Sequence, residues 1–79
     1  MSADDERFDW DGFCYDLNTT RLKRRLSWRD VATQSHVAAS SLTRLMQGKD
    51  LTVENLARLL IWSGLSFNAY IHMFHVDFA

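Results

Sequence analysis

Apolar residues recur along this chain at helical spacing. Trp10, Phe13, Cys14 and Leu17 fall three or four positions apart, the pattern of one buried helix face. Asp9 is placed to cap this helix, and the pattern carries it to about Arg25. Leu22 falls off the stripe and either covers an edge or meets a partner. Arg and Lys crowd the helix end, where they suit the negative end of its dipole. Next come two short helices, at about 28–35 and 39–47. Ser27 with Asp30 three residues later forms a capping-box pattern ahead of the first. Val31 and Ala32 lie on its inward face. A break follows at Ser35 and His36, and Val37 packs between the two helices. Ser40, or a residue just before it, starts the second. Leu42, Leu45 and Met46 make one buried face there, and Gly48 ends it as a left-handed cap.

Thr52 or Asp50 caps a fourth helix, with Glu54 in its first turn and Val53, Leu56, Leu59 and Leu60 as its buried face. Ile61 and Trp62 widen that arc, and Gly64 stops it. Ser66 caps a short fifth helix with Phe67, Tyr70, Ile71 and Phe74 apolar. The end of the chain, Ile71 to Phe78, is too hydrophobic for a free tail. It docks on the same core, adds a short strand, or meets a second chain. Two helices of about two turns each cannot stand alone, so the flanking segments must form a platform for the central pair.

The central pair resembles the helix-turn-helix of the lambda-repressor and Cro family of DNA-binding domains. The matching residues are Leu26, Ser27, Val31, Ala32, Val37, Ser40, Leu42, Leu45 and Gly48, in the order L-S-x(3)-V-A-x(4)-V-x(2)-S-x-L-x(2)-L-x(2)-G. Residues 51–65 look like that family's fourth helix, and the likeness covers roughly residues 10–71. The family usually has glycine where this chain has His36, at a position that commonly needs positive φ. His is among the less penalised alternatives there. The resemblance implies an all-α, compact five-helix lambda-repressor-like domain with its helix-turn-helix at about 28–47. Residues 1–8 then form a flexible acidic N-terminus, and residues 9–79 the domain with its hydrophobic C-terminal segment.

Charge sharpens this picture. The 79 residues carry a net charge of only −1, which argues against a generally basic nucleic-acid binder. Its distribution is uneven. Residues 1–16 carry six acidic groups and one basic group, a net −5; residues 17–49 carry seven basic and one acidic, a net +6; residues 50–79 carry a net −2. The basic block coincides with the helix pair, and local potential steers a phosphate backbone. The plain alternative for such a block is a solvated helix face.

With Leu42, Leu45 and Met46 turned inward, the second motif helix turns Ala39, Ser40, Thr43 and Arg44 outward. These stand at the positions where the resembled family reads bases. Arg44 suits a bidentate pair with guanine O6 and N7, a phosphate contact, or solvent. Thr43 offers a hydroxyl and a methyl. Ser40 either meets DNA, caps its helix or packs as a small residue, and Ala39 makes apolar contact only. Ser27, Trp28, Arg29, Gln47 and Lys49 are the candidate phosphate ligands. Trp28 either donates its indole N–H or packs. Arg21, Arg24 and Arg25 either flank the same backbone or cap the first helix. Phe67, Tyr70, Ile71, Phe74, Val76 and Phe78 form the candidate dimer surface.

Other chemistry has little support. His72 and His75, with Asp77, share a spacing that could serve a metal, but further ligands are wanting, and no metal or other cofactor is expected. There is no glycine-rich phosphate loop and no local nucleophile–base motif, so no enzymatic activity is expected. Cys14 is the single cysteine, which fits a reducing cytoplasm. The start, MSADDERFDW, is acidic and unlike a secretory leader. No run approaches the ~18 apolar residues of a membrane span. The expected function is sequence-specific binding of double-stranded DNA by a homodimeric repressor, as in phage repressors or Cro, in the cytoplasm of a bacterium or an infected host. The alternative is a protein-interaction module of the same fold, such as an antitoxin with a toxin partner.

Overall fold

A computed structural model describes residues 8–71. Four α-helices follow one another: α1 (Trp10–Lys23), α2 (Trp28–Ser35), α3 (Ala39–Met46) and α4 (Val53–Ser63). A 3-10 turn, Phe67–Tyr70, comes after them among the described residues. The only β feature among the described residues is one antiparallel bridge between Phe8 and Ile71, which brings the two ends of the domain together. The class is all-α. No helix among the described residues is long and apolar enough to cross a membrane.

Each helix boundary has a local chemical cause. The Asp9 carboxylate accepts the Gly12 N–H at 3.0 Å and starts α1. A Cβ at Gly12 would run into that carboxylate and force it to shift. At the other end Arg25 is left-handed (φ 59°). Its N–H bonds the Leu22 carbonyl and the Leu26 N–H bonds the Arg21 carbonyl, both at 3.0 Å. This is a Schellman closure, reached without glycine. The capping box on α2 forms as the sequence predicts: Ser27 Oγ accepts the Asp30 N–H at 3.1 Å, and the Asp30 carboxylate accepts the Ser27 N–H at 3.0 Å. Gly48 (φ 84°) ends α3 with a second Schellman pair, Gly48 to Leu45 and Lys49 to Arg44. Thr52, rather than Asp50, caps α4 by accepting the Asn55 N–H at 3.2 Å.

The core is drawn from every element: Phe13 and Leu17 from α1, Val31 from α2, Val37 from the α2–α3 turn, Leu42 and Leu45 from α3, and Leu56 and Leu59 from α4, closed by Tyr70. The helices pack as α2 on α3 and α4, and α1 on α3 and the 3-10 turn. Phe8 stacks on Phe67 and meets Trp10, Phe13 and Tyr70. It therefore belongs to the folded domain and not to a flexible N-terminus.

Several expectations are corrected. The fifth helix is one 3-10 turn. Ser66 makes no side-chain cap, the Tyr70 carbonyl accepts the Asp9 N–H, and Ile71 is extended in its bridge with Phe8. A helix cannot continue through residues so engaged. Tyr70 is a core residue: its ring meets Phe13 edge-on and its hydroxyl donates to Asp16 at 2.6 Å. It is thus unavailable to a dimer surface. Ile71 is half-buried, Phe67 is 46% exposed, and Phe74, Val76 and Phe78 lie outside the described residues, as do His72, His75 and Asp77. Met46 is also less buried than its spacing suggests, at 38% exposed. It sits at the last turn of α3, where it accepts the Cys14 thiol at 3.6 Å. Val53 is 84% and Ile61 83% exposed. Val53 opens α4 beyond the edge of the core. Ile61 lies five residues past Leu56, about 140° around the helix.

Two predictions follow from this packing. Leu59→Ala should cost about 2–5 kcal/mol as a cavity-forming change, and Ile61→Ala less than about 0.5 kcal/mol, measured by chemical denaturation; equal costs would contradict the orientation of α4. The second concerns pH. Burial first, then the bond to Asp16 and the charges of Asp16 and Asp9, push the Tyr70 phenol up to about 12. An unfolded chain gives up this proton near pH ~10. The stabilisation is therefore complete below about pH 10 and is lost as pH rises toward about 12. The stability difference between wild type and Tyr70→Phe should narrow across that window, and a constant difference would contradict the assignment.

Candidate nucleic-acid interface

The α2–α3 turn is the centre of the candidate interface. His36 is left-handed, with φ 65°, the conformation expected where the resembled family carries glycine. Its N–H closes α2 onto the Ala32 carbonyl at 3.0 Å. Val37 follows, 1% exposed, with its N–H held by the buried Ser35 hydroxyl at 3.3 Å. The His36 carbonyl accepts Nη1 of Arg58 at 2.7 Å, while Nη2 of the same guanidinium pairs with Glu54 at 2.6 Å. Asn55 of α4 reaches Ser41 of α3 at 3.3 Å. The turn and the start of α3 are thus tied to α4 by side chains, besides the apolar packing.

With Leu42 and Leu45 buried, α3 presents Ala39, Ser40, Thr43 and Arg44 to solvent, and Gln47 continues the same face one turn later. Ser40 is not a cap. The N-cap is Ala38, without a side-chain bond, so the Ser40 hydroxyl has no local task. Thr43 donates its hydroxyl to the Ala39 carbonyl at 3.2 Å, which leaves its methyl and its lone pairs for an outside contact. The Arg44 side chain is exposed and makes no ion pair or hydrogen bond among the described residues. Lys49 is exposed just past Gly48.

The other candidate phosphate ligands stand on a different helix. Ser27 and Arg29 are exposed at the start of α2 and Trp28 is half-buried. The capping box occupies the Ser27 and Asp30 amides, so the Trp28 and Arg29 N–H groups remain directed outward. Hydrogen bonds from the Ser27 backbone and side chain, with a smaller effect of Arg29, hold the Asp30 carboxyl below its ordinary range. Asp30 is therefore a fixed negative charge beside this amide pair, and it opposes any anion there. Trp28 packs: the Arg21 guanidinium lies 4.8 Å over its ring.

Two arginines of the basic block are committed to the fold. Arg21 donates to the Leu26 carbonyl at 2.8 Å and, through two nitrogens, to Asn18. Arg24 lies 4.7 Å over the Trp62 ring and donates to the Trp62 carbonyl at 2.9 Å. Trp62 in turn donates to Gln34 at 2.9 Å. Lys23, Arg25, Arg29, Arg44 and Lys49 remain exposed. Arg58 was not among the sequence-derived candidates. Its i, i+4 spacing from Glu54 was readable, but its bond to a carbonyl 22 residues away has no local signature.

Nothing in this region resembles a reactive centre. Burial and then the Asp11 charge push the Cys14 thiol up, so it stays protonated. Among the described residues no three His, Cys, Asp or Glu side chains converge as a metal site.

The turn yields a test. His36→Val places a β-branched residue at positive φ and should cost about 1–2 kcal/mol, whereas His36→Gly should be neutral or stabilising. Equal destabilisation by both, in thermal or chemical denaturation, would contradict a left-handed turn.

Neither a family model, nor a curated protein, nor a solved structure matches this chain.

Proposed function

We propose that this chain is a sequence-specific double-stranded DNA-binding protein of the lambda-repressor type, acting in the cytoplasm as a dimeric transcriptional repressor. The observation that carries the proposal is the outward face of α3. It is a short helix on a packed platform, entered through a left-handed turn, with Ser40, Thr43 and Arg44 exposed and the Arg44 side chain without a hydrogen bond or ion pair among the described residues. A helix of this kind fits the major groove, and its early residues reach base edges. The exposed cations around it supply phosphate contacts and orientation. A dimer would place two such helices in half-sites about one helical turn apart, and an occupied promoter is closed to polymerase.

Selection of bound duplexes from a random library tests the proposal. A palindromic motif should be enriched, and its binding should weaken steeply with salt. Against that motif, Arg44→Ala should cost about 1–3 kcal/mol and relax selectivity at one base pair per half-site. Lys49→Ala should weaken all duplexes alike and reduce the salt slope by about 1. No enrichment over random sequence would overturn DNA reading and leave the protein-interaction module in its place.

A further inference from the structure

One hydrogen bond within α3 narrows which feature of a base this helix can read. The Thr43 hydroxyl donates its proton to the Ala39 carbonyl at 3.2 Å. A hydroxyl has one proton to give, so none remains for an acceptor on a base edge. The same bond keeps the hydroxyl against the helix backbone and sets the stiff β-branched rotamer, which fixes the γ-methyl as well. Thr43 is exposed, so an ordered methyl stands on the outward face of α3. Ala39, also exposed, lies one turn earlier on the same line and adds a second methyl and no polar side-chain atom. This flank of α3 is apolar. Arg44, about 100° around the helix from Thr43, gives the other flank its charge.

An apolar flank has one counterpart in the major groove of ordinary DNA. The groove edges of the other bases present hydrogen-bonding groups, whereas thymine also presents its C5-methyl. We infer that Thr43 reads the 5-methyl group of a pyrimidine, so that each half-site contains a thymine met by that side chain. The inference rests on the DNA-reading function proposed above and adds what the helix distinguishes. Burying one methyl is worth about fourfold in affinity per half-site. Little is lost in ordering Thr43, because its rotamer is set before DNA arrives.

Base chemistry separates this reading from its rival, a hydrogen bond from Thr43 to the base. Thymine and uracil offer the same O4 acceptor and differ only by the methyl. Cytosine and 5-methylcytosine offer the same N4 donor and differ only by the methyl. Reading by hydrogen bond treats the members of each pair alike. Reading by methyl contact favours the methylated member of each pair, whichever purine stands opposite. With its proton committed to Ala39, Thr43 belongs to the second case.

The test measures binding of the full chain, at one salt concentration, to synthetic duplexes carrying the half-site enriched from the random library. Each thymine of the half-site is replaced in turn by deoxyuridine. At one position wild type should bind thymine about fourfold tighter than uracil, and at that position it should bind 5-methylcytosine about fourfold tighter than cytosine. Thr43→Ser keeps the hydroxyl and lacks the methyl, and should bring both ratios to about one. Thr43→Val keeps a methyl and lacks the hydroxyl, and should preserve both. The base comparisons use wild type alone, so they decide the matter even where a variant loses its helical circular dichroism. No enriched duplex at all would overturn this inference together with DNA reading. An enriched half-site that lacks thymine, one in which deoxyuridine binds like thymine at every position, or ratios that persist in Thr43→Ser would overturn this inference and leave DNA reading standing.

Discussion

The left-handed backbone at His36 is the constraint on which the rest of the domain depends. It ends α2 three residues before α3 begins and sets the direction in which the chain leaves. A non-glycine residue in that conformation costs about 1–2 kcal/mol. Burial of Val37, the next residue, contributes about 1.5–3 kcal/mol, enough to offset the strain by itself. The Arg58 guanidinium, bonded to the His36 carbonyl, adds to this, though it is partly exposed and its share is small. Once the turn is held, Leu42 and Leu45 must face the core, and the outward face of α3 has no further freedom.

The basic block serves two purposes, and individual side chains divide between them. Arg21 and Arg24 lie over the rings of Trp28 and Trp62 and donate to main-chain carbonyls. They fasten the end of α1 to α2 and α4, and so help the left-handed closure at Arg25 do without glycine. Arg29, Arg44 and Lys49 have no such engagement and give their charge to solvent. A net charge near zero for the whole chain thus coexists with a net +6 over residues 17–49, because the acidic groups are concentrated elsewhere in the sequence.

What was legible in the sequence was what short-range chemistry decides. The Ser27–Asp30 box, the closures at Gly48 and Gly64 and the inward stripes through Phe13, Leu17, Leu42, Leu45, Leu56 and Leu59 all follow from residue type and spacing, whereas the positive φ at His36 was expected only through the family resemblance. Spacing states which way a residue points from its own helix. It does not state where the neighbouring element ends, so Val53, Met46 and Ile61 looked buried and are not. Tyr70 and Phe8 were misplaced for the complementary reason: their roles depend on the two ends of the domain meeting, through a bridge between residues 63 positions apart. At the candidate interface, the outward face of α3 was legible from periodicity. The engagement of Arg21, Arg24 and Arg58 was not, since aromatic stacking and carbonyl contacts across helices leave no trace in local pattern.

The central claim is that the outward face of α3 meets DNA. The most direct measurement is the movement of backbone amide signals in nuclear magnetic resonance spectra as duplex DNA is titrated into isotopically labelled protein. The account predicts that the largest changes fall on residues 39–44, with further changes at 27–29 and 47–49, and that they fade as salt is raised. Changes confined to α4 and the 3-10 turn, or none at any duplex concentration, would contradict it.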